Sequence, residues 1–316
     1  MCWIRKPTMP DTFDEMADMD FSRARMRESL SRIGGFLSPG RRQLLALGEV
    51  RSILKIRGEE YRGVVPVPLE LIIGSEGRYR DFARGFLPRH GYLRDRWVRV
   101  DSAHYRDVIL PPIRLYELGG AYFVRDGNHR VSVAKLQGAV MIDAEVVSLS
   151  STIRIEKGMD IDDIRRALIA YEKREFYAQT LFHQVTDDPG LDFTSPGAYD
   201  QIVEHILVHK YYLNEGSEKE IDFVMALDSW YRTVYAPIAG TIRAERLDAR
   251  FRGRTVGDLY LYIVKHWDAL KKRYGIHYSA SDAARDFATR YGSGLSKTVA
   301  SIFPGILRWL RGLSGR

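Results

Sequence analysis

The chain of 316 residues has a single cysteine, Cys2. One thiol can form neither an internal disulfide nor a cysteine-based zinc site, a usage expected of a reducing cytoplasm. No apolar run approaches the ~20 residues that cross a bilayer. The opening stretch, MCWIRKPTMPDTFDEMADMD, lacks the apolar core of a secretory signal. Internal repeats and low-complexity segments are missing as well. These absences point to a cytoplasmic protein without a transmembrane segment. What remains is 45% hydrophobic and 11% aromatic, enough for an ordinary core and about two domains.

Charge is present in one sign more than the other, with 48 Lys and Arg against 41 Asp and Glu, net +7. The surplus is uneven. Residues 61–135 hold 13 basic and 8 acidic side chains, whereas residues 136–316 are balanced at 24 of each. A local positive field attracts nucleotides, phosphorylated metabolites, nucleic acid or anionic lipid. An arginine-rich soluble surface would look the same.

Hydrophobic spacing divides the chain into three parts. Residues 1–60 are expected to form a basic helical arm: a loose start over 1–20, then two helices within 21–57 broken at Gly34–Gly40. Residues 61–155 alternate short elements. VVPVPLELIIG (64–74) is extended, GRYRDFARGFL (77–87) predicts a helix, and RWVRVD (96–101) a strand or loop. PPIRLYEL (111–118) and AYFVRD (121–126) form a hairpin across Gly119-Gly120. RVSVAKLQG (130–138) is a short helix stopped by Gly138, and AVMIDAEVVSL (139–149) is a strand. Residues 156–316 read as helical, with helices over 160–182, 195–213, 218–247 (interrupted by Pro237) and 255–275. Ser195 and Pro196 serve as the start of the second, and Thr255 with Asp258 as a capping box. The fold class is α+β: a small mixed sheet followed by an all-helical domain.

Chemistry concentrates where the 121–126 strand turns into the next helix, in VRDGNHRVSVAKLQG. A helix start presents N–H groups without acceptors and a positive dipole end. Gly127 allows close backbone approach, and such a notch suits phosphate. Arg130 carries a permanent forked cation. His129 is a donor that titrates near neutrality. Asn128 can bond a sugar hydroxyl or a phosphate oxygen, and Asp126 can hold metal or act as a base. The same residues also make an ordinary turn with an Asn N-cap.

This stretch resembles the phosphate-binding box of the ParB/sulfiredoxin superfamily. Gly127, Asn128, His129 and Arg130 fall on the Gly-Glu-Arg-Arg run of ParB partition proteins and on the Gly-Cys-His-Arg run of sulfiredoxins. Ala134, Lys135, Leu136 and Gly138 match the following helix. PPIRLYEL, AYFV and AVMIDAEVV resemble the flanking strands, so the likeness covers residues ~64–149. Beyond it, VPVPLELIIGSEGRYRDF and WYRTVYAPI…FRGRTVGDLYLYIVKH resemble a group of uncharacterised bacterial ParB-like proteins. The resemblance implies a nucleoside triphosphate, ATP or CTP with Mg²⁺, held by Gly127, Asn128, His129 and Arg130. Asp126 and His129 would then be the catalytic pair for hydrolysis or for phosphoryl transfer to a small molecule. Asn128 stands where sulfiredoxin has its nucleophilic cysteine, which excludes that chemistry. The chain shows no helix-turn-helix after the sheet. A DNA-associated, non-enzymatic regulator is the alternative, and a homo-oligomer is compatible with either.

Other features are less specific. Ser75, Gly77 and Arg78 in GSEGRYR could form a second wall of the anion site, or a structural turn. His205 and His209, beside Glu204, have metal-ligand spacing but no third ligand. Tyr211-Tyr212, Trp230-Tyr231 and Tyr260-Tyr262 could stack bases or build the helical core. FRGRT (251–255) is a basic loop or an anion site, and SIFPGILRWLRGLSGR (301–316) an amphipathic helix.

Overall fold

The computed structural model describes residues 12–34, 43–56, 58–186, 191–215, 219–274 and 280–291. Residues 1–11 and the 301–316 helix expected from the sequence lie outside them. The chain divides into two compact units, Met1–Leu168 and Ile169–Arg316. Together they give an α+β fold, a sheet-containing unit followed by a helical one. Among the described residues no helix is long and apolar enough to cross a membrane.

The first unit runs α1 (Thr12–Gly34), β1 (Leu45–Ala46), α2 (Leu47–Ile53), β2 (Glu59–Pro68), β3 (Ile72–Ser75), α3 (Arg94–Tyr105), β4 (Ile113–Leu118), β5 (Ala121–Asp126), α4 (Asn128–Leu136) and β6 (Met141–Leu149). The helix α1 begins well inside the segment expected to be loose, and it packs on α3. Six strands form one mixed sheet in the order β1-β3-β5-β4-β6-β2. β3 is parallel to β5, β5 antiparallel to β4, and β4 parallel to β6. β2 closes one edge against β6. Pro66 and Pro68, which cannot donate to a ladder, are tolerated because they lie on that edge. The β4–β5 hairpin turns through Gly119 and Gly120 at φ 61° and 85°, the left-handed pair that a two-residue hairpin demands.

Two expectations fail in this unit for the same reason. The RWVRVD stretch lies in a helix, α3: Leu93 and Trp97 are buried four residues apart, and Asp101 follows at the next turn. Its valines alternate, but burial follows the helical period. The expected helix over 77–87 is instead an irregular loop. Gly85 and Phe86 both have positive φ, and Phe82 and Phe86 are fully buried from it. Tertiary burial of two rings overrides helical spacing there. The core then gathers Trp97, Phe82, Phe86, Ile113, Val124 and Val131. A buried relay ties three elements together. Trp97 Nε1 donates to Ser132 Oγ at 2.9 Å, and Ser132 Oγ donates to the Phe86 carbonyl at 2.6 Å.

The helix α5 (Ile161–Thr180) carries the chain into the second unit, with α6 (Phe182–Val185), α7 (Ala198–Asn214), α8 (Phe223–Trp230), α9 (Ala236–Ala244), α10 (Leu247–Arg250), α11 (Val256–Tyr274) and α12 (Ala280–Tyr291). The start of α7 falls after the expected Ser195-Pro196. Gly197 caps it, and its N–H donates to the Glu172 carboxylate at 2.8 Å. Between α8 and α9 the residues Tyr231–Tyr235 form a π turn. Pro237 lacks an N–H and crowds the carbonyl four residues back, so the wider turn lets the helix continue through it. Trp230, Tyr235 and Tyr260 pack together in the core, where Trp230 Nε1 donates to the Tyr260 hydroxyl at 3.1 Å.

The capping box at α11 forms as its spacing predicts. Thr255 N–H donates to Asp258 Oδ2 at 3.0 Å, and Asp258 N–H donates to Thr255 Oγ1 at 3.1 Å. The same buried carboxylate accepts Thr194 N–H at 3.0 Å and Thr194 Oγ1 at 2.8 Å, tying the 191–197 loop to the helix start. Asp258→Ala strips these donors of their acceptor, so it is expected to cost about 2–3 kcal/mol. A urea-unfolding midpoint indistinguishable from wild type would show that this cap is not structural.

Candidate functional site

The carboxyl ends of β3 and β5 lie side by side because the two strands are parallel neighbours, with Ser75 opposite Val124. The chain therefore leaves both strands at one end of the sheet. From β3 it enters the 76–82 loop, and from β5 it passes through Gly127 into α4. The topology thus settles a question that spacing left open: the GSEGRYR turn and the Asp126–Arg130 turn are neighbours.

Gly127 is required twice over. Its φ of 103° is left-handed, and a Cβ placed there would meet Ile113 Cγ2 at 2.5 Å. The first intrahelical bond of α4 runs from Val131 N–H to the Gly127 carbonyl at 3.0 Å. The amides of Asn128, His129 and Arg130 thus precede the helical ladder, at its positive end.

The side chains of the motif divide into two sets. Arg130 is turned away from the role its charge suggested. Its guanidinium pairs with Asp126 at 2.8 Å and donates to the carbonyls of Pro111 and of Pro112, the latter at 3.1 Å. It is a clamp on the entrance to β4, with both terminal nitrogens engaged inside the fold. Asp126 is the partner of that clamp, with its carboxylate more than half exposed.

Asn128 and His129 are different. Both are buried, at 6% and 4% exposure, and neither Asn128 Oδ1 nor His129 Nε2 has a hydrogen-bond partner. Buried polar atoms of this kind cost ~1–3 kcal/mol each when left unpaired. His129 stands edge-on to Phe82, with ring centroids 5.4 Å apart. Burial, together with the charges of Arg96 and Arg78, pushes its pKa down to about 4. At neutral pH it is a neutral imidazole.

The second wall is partly structural. Ser75 is fully buried, and its Oγ donates to the Val124 carbonyl and accepts Arg78 N–H, each at 3.2 Å. That hydroxyl caps its own loop. Gly77 is exposed at the tip. Arg78 pairs with Asp81 at 3.3 Å while Tyr92 donates to the same carboxylate at 2.6 Å. Arg96 is exposed on α3 and has no acidic partner among the described residues. Sequence spacing missed it, because the RWVRVD stretch reads as a strand; only the first helical turn of α3 brings its charge to bear on His129.

Most of the other sequence candidates are engaged within the helical unit. His205 Nδ1 bonds the Tyr260 hydroxyl at 3.2 Å and His209 Nε2 bonds Ser229 Oγ at 3.0 Å. Among the described residues no three His, Cys, Asp or Glu side chains converge as metal ligands. Trp230 and Tyr260 are core, whereas Tyr211 and Tyr212 are exposed. Arg254 donates to Thr194 Oγ1 at 2.8 Å. Compared with known proteins, the chain matches no family model, no curated protein and no solved structure.

The depressed pKa of His129 has a measurable sign. The unfolded imidazole binds its proton near pH 6.5 and the folded one near 4. Between these values the unfolded chain holds more protons, so stability falls as pH drops through this window. From pH 7 to pH 5 this one group contributes a loss of about 2 kcal/mol. His129→Gln is expected to lose less stability over that interval than wild type in urea unfolding. Equal losses would mean that the imidazole is not held neutral.

Proposed function

We propose that the first unit is a ParB/sulfiredoxin-like domain that binds a phosphorylated small molecule, ATP or CTP with Mg²⁺ in the leading case, beside the carboxyl ends of β3 and β5. The observation that carries this reading is the pair of buried, partnerless polar atoms, Asn128 Oδ1 and His129 Nε2, in the first turn of α4. A fold keeps such atoms where a ligand or an ordered water completes them. Around them stand the unladdered amides of a nine-residue helix and the charges of Arg78 and Arg96. Anions are held by that combination of N–H groups and dipole, and crevices outside the carboxyl ends of parallel strands are common ligand sites.

In this reading a neutral His129 donates through Nε2 to a phosphate oxygen, and Asn128 meets a hydroxyl or a phosphate oxygen. Arg78 and Arg96 neutralise the remaining charge. Arg130 holds the turn in shape from below, linked to Asp126 and the Pro111-Pro112 carbonyls. Hydrolysis or phosphoryl transfer would follow from positioning and charge stabilisation. The cationic surplus of residues 61–135 favours a second reading, a non-enzymatic DNA-associated protein. Its mark would be a steep fall of DNA affinity with salt.

Thermal unfolding with ATP, CTP or GTP, each with and without Mg²⁺, tests the assignment. A nucleotide at a hundred times its Kd adds about 2.7 kcal/mol, a rise of several degrees in Tm. The shift should shrink in Arg96→Ala and Asn128→Ala. Arg130→Ala should lower the starting Tm yet keep the shift. No shift with any nucleotide, or one untouched by the first two substitutions, would refute the site; phosphate release in the absence of DNA would mark an enzyme.

A further inference from the structure

The last turn of α4 lines a different space. A cavity of about 420 Å³ lies between the β3 entrance, the 84–86 turn and the loop after β6. Its walls include Leu69, Ile72 and Met159, and three cations line it: Lys135, Arg84 and Lys157. The volume is in the range of small-molecule sites, and so is the mixture of apolar wall and few charged groups.

Lys135 is the unusual member. Its ammonium donates to the Ile72 carbonyl at 3.0 Å and lies 5.3 Å from the centre of the Phe86 ring. An ammonium has three donors, so two remain for the cavity. Among the described residues no carboxylate pairs with it. Glu70 also lines the space, but its carboxylate is paired with Lys157 at 2.9 Å. Of the two lysines in the lining, Lys157 is thus met by a carboxylate and Lys135 by a carbonyl alone. A half-buried ammonium with no carboxylate beside it gains by taking an anion as its counter-ion.

We propose that this cavity binds a small organic anion with an apolar body, its acidic head on the Lys135 ammonium and its body against Leu69, Ile72 and Met159. The charges facing Lys135 are those of Glu70, Lys157 and Arg84; burial is the main cause that pushes its pKa down to about 8. Anion binding is therefore coupled to the protonation of Lys135. The site is separate from the one at the amino end of α4. Lys135 sits seven residues along the helix from Asn128, about 10 Å at 1.5 Å per residue.

Isothermal titration of the full chain with octanoate, and with octanol as the neutral analogue, tests the proposal. Octanoate is expected to bind at pH 7 at least tenfold more tightly than octanol. Its affinity should drop about tenfold between pH 7 and pH 9, following the charged fraction of a group that titrates near 8. Lys135→Met, which keeps the packing volume, should lose at least tenfold. The pH comparison needs no variant and decides the matter if Lys135→Met does not fold. Absence of octanoate binding at 10 mM, equal affinity for octanol, or an affinity unchanged from pH 7 to pH 9 would overturn the assignment.

Discussion

A missing methyl group at residue 127 governs the sheet unit. Without a Cβ, Gly127 lets the β5–α4 turn settle against Ile113 in a left-handed conformation. Ile113 begins β4, so one contact sets the junction of β4, β5 and α4 together. Arg130 reinforces that junction by reaching from α4 to the carbonyls just before β4 and to Asp126 at the end of β5. Any larger residue at 127 would push Ile113 out of the core and open the clamp at once.

With its origin set there, α4 serves different ends along its length. Its middle is anchored by the Trp97–Ser132–Phe86 relay, a chain of buried hydrogen bonds that satisfies an indole, a hydroxyl and a carbonyl. Its first turn carries polar atoms that the fold leaves unpaired, Asn128 Oδ1 and His129 Nε2. Its last turn carries a lysine that faces a cavity whose one lining carboxylate, Glu70, pairs with Lys157 instead. The helix is rigid where it is satisfied and chemically unsaturated at both ends. That division of labour is consistent with ligand sites being placed on stiff elements.

Much of the fold was legible where a local rule and tertiary burial agree. The Gly119-Gly120 hairpin, the Thr255–Asp258 box and the helix over 160–182 were all visible, because turn geometry, capping and helical spacing act over a few residues. The site was legible as a turn of suspicious composition and no further. Arg130 looked like the obvious anion ligand, yet its reach allowed it to find Asp126 and two prolyl carbonyls first. Arg96 was invisible, since alternating valines disguised the helix that carries it. The irregular 77–87 loop was misread because its phenylalanines have helical spacing but are buried by a chain with positive φ at two positions.

By itself the sequence determined part of the local grammar of this protein: the Gly119-Gly120 turn, the capping box that starts α11, and that one glycine-led turn concentrates polar groups. Tertiary structure alone decided which of those groups are already spent. Pairing is a contest among all partners within reach, and burial sets how much an unpaired group costs. Both depend on residues far away in the chain, such as Pro111 for Arg130, Phe82 for His129 and Ile72 for Lys135, and no spacing rule along the chain contains them.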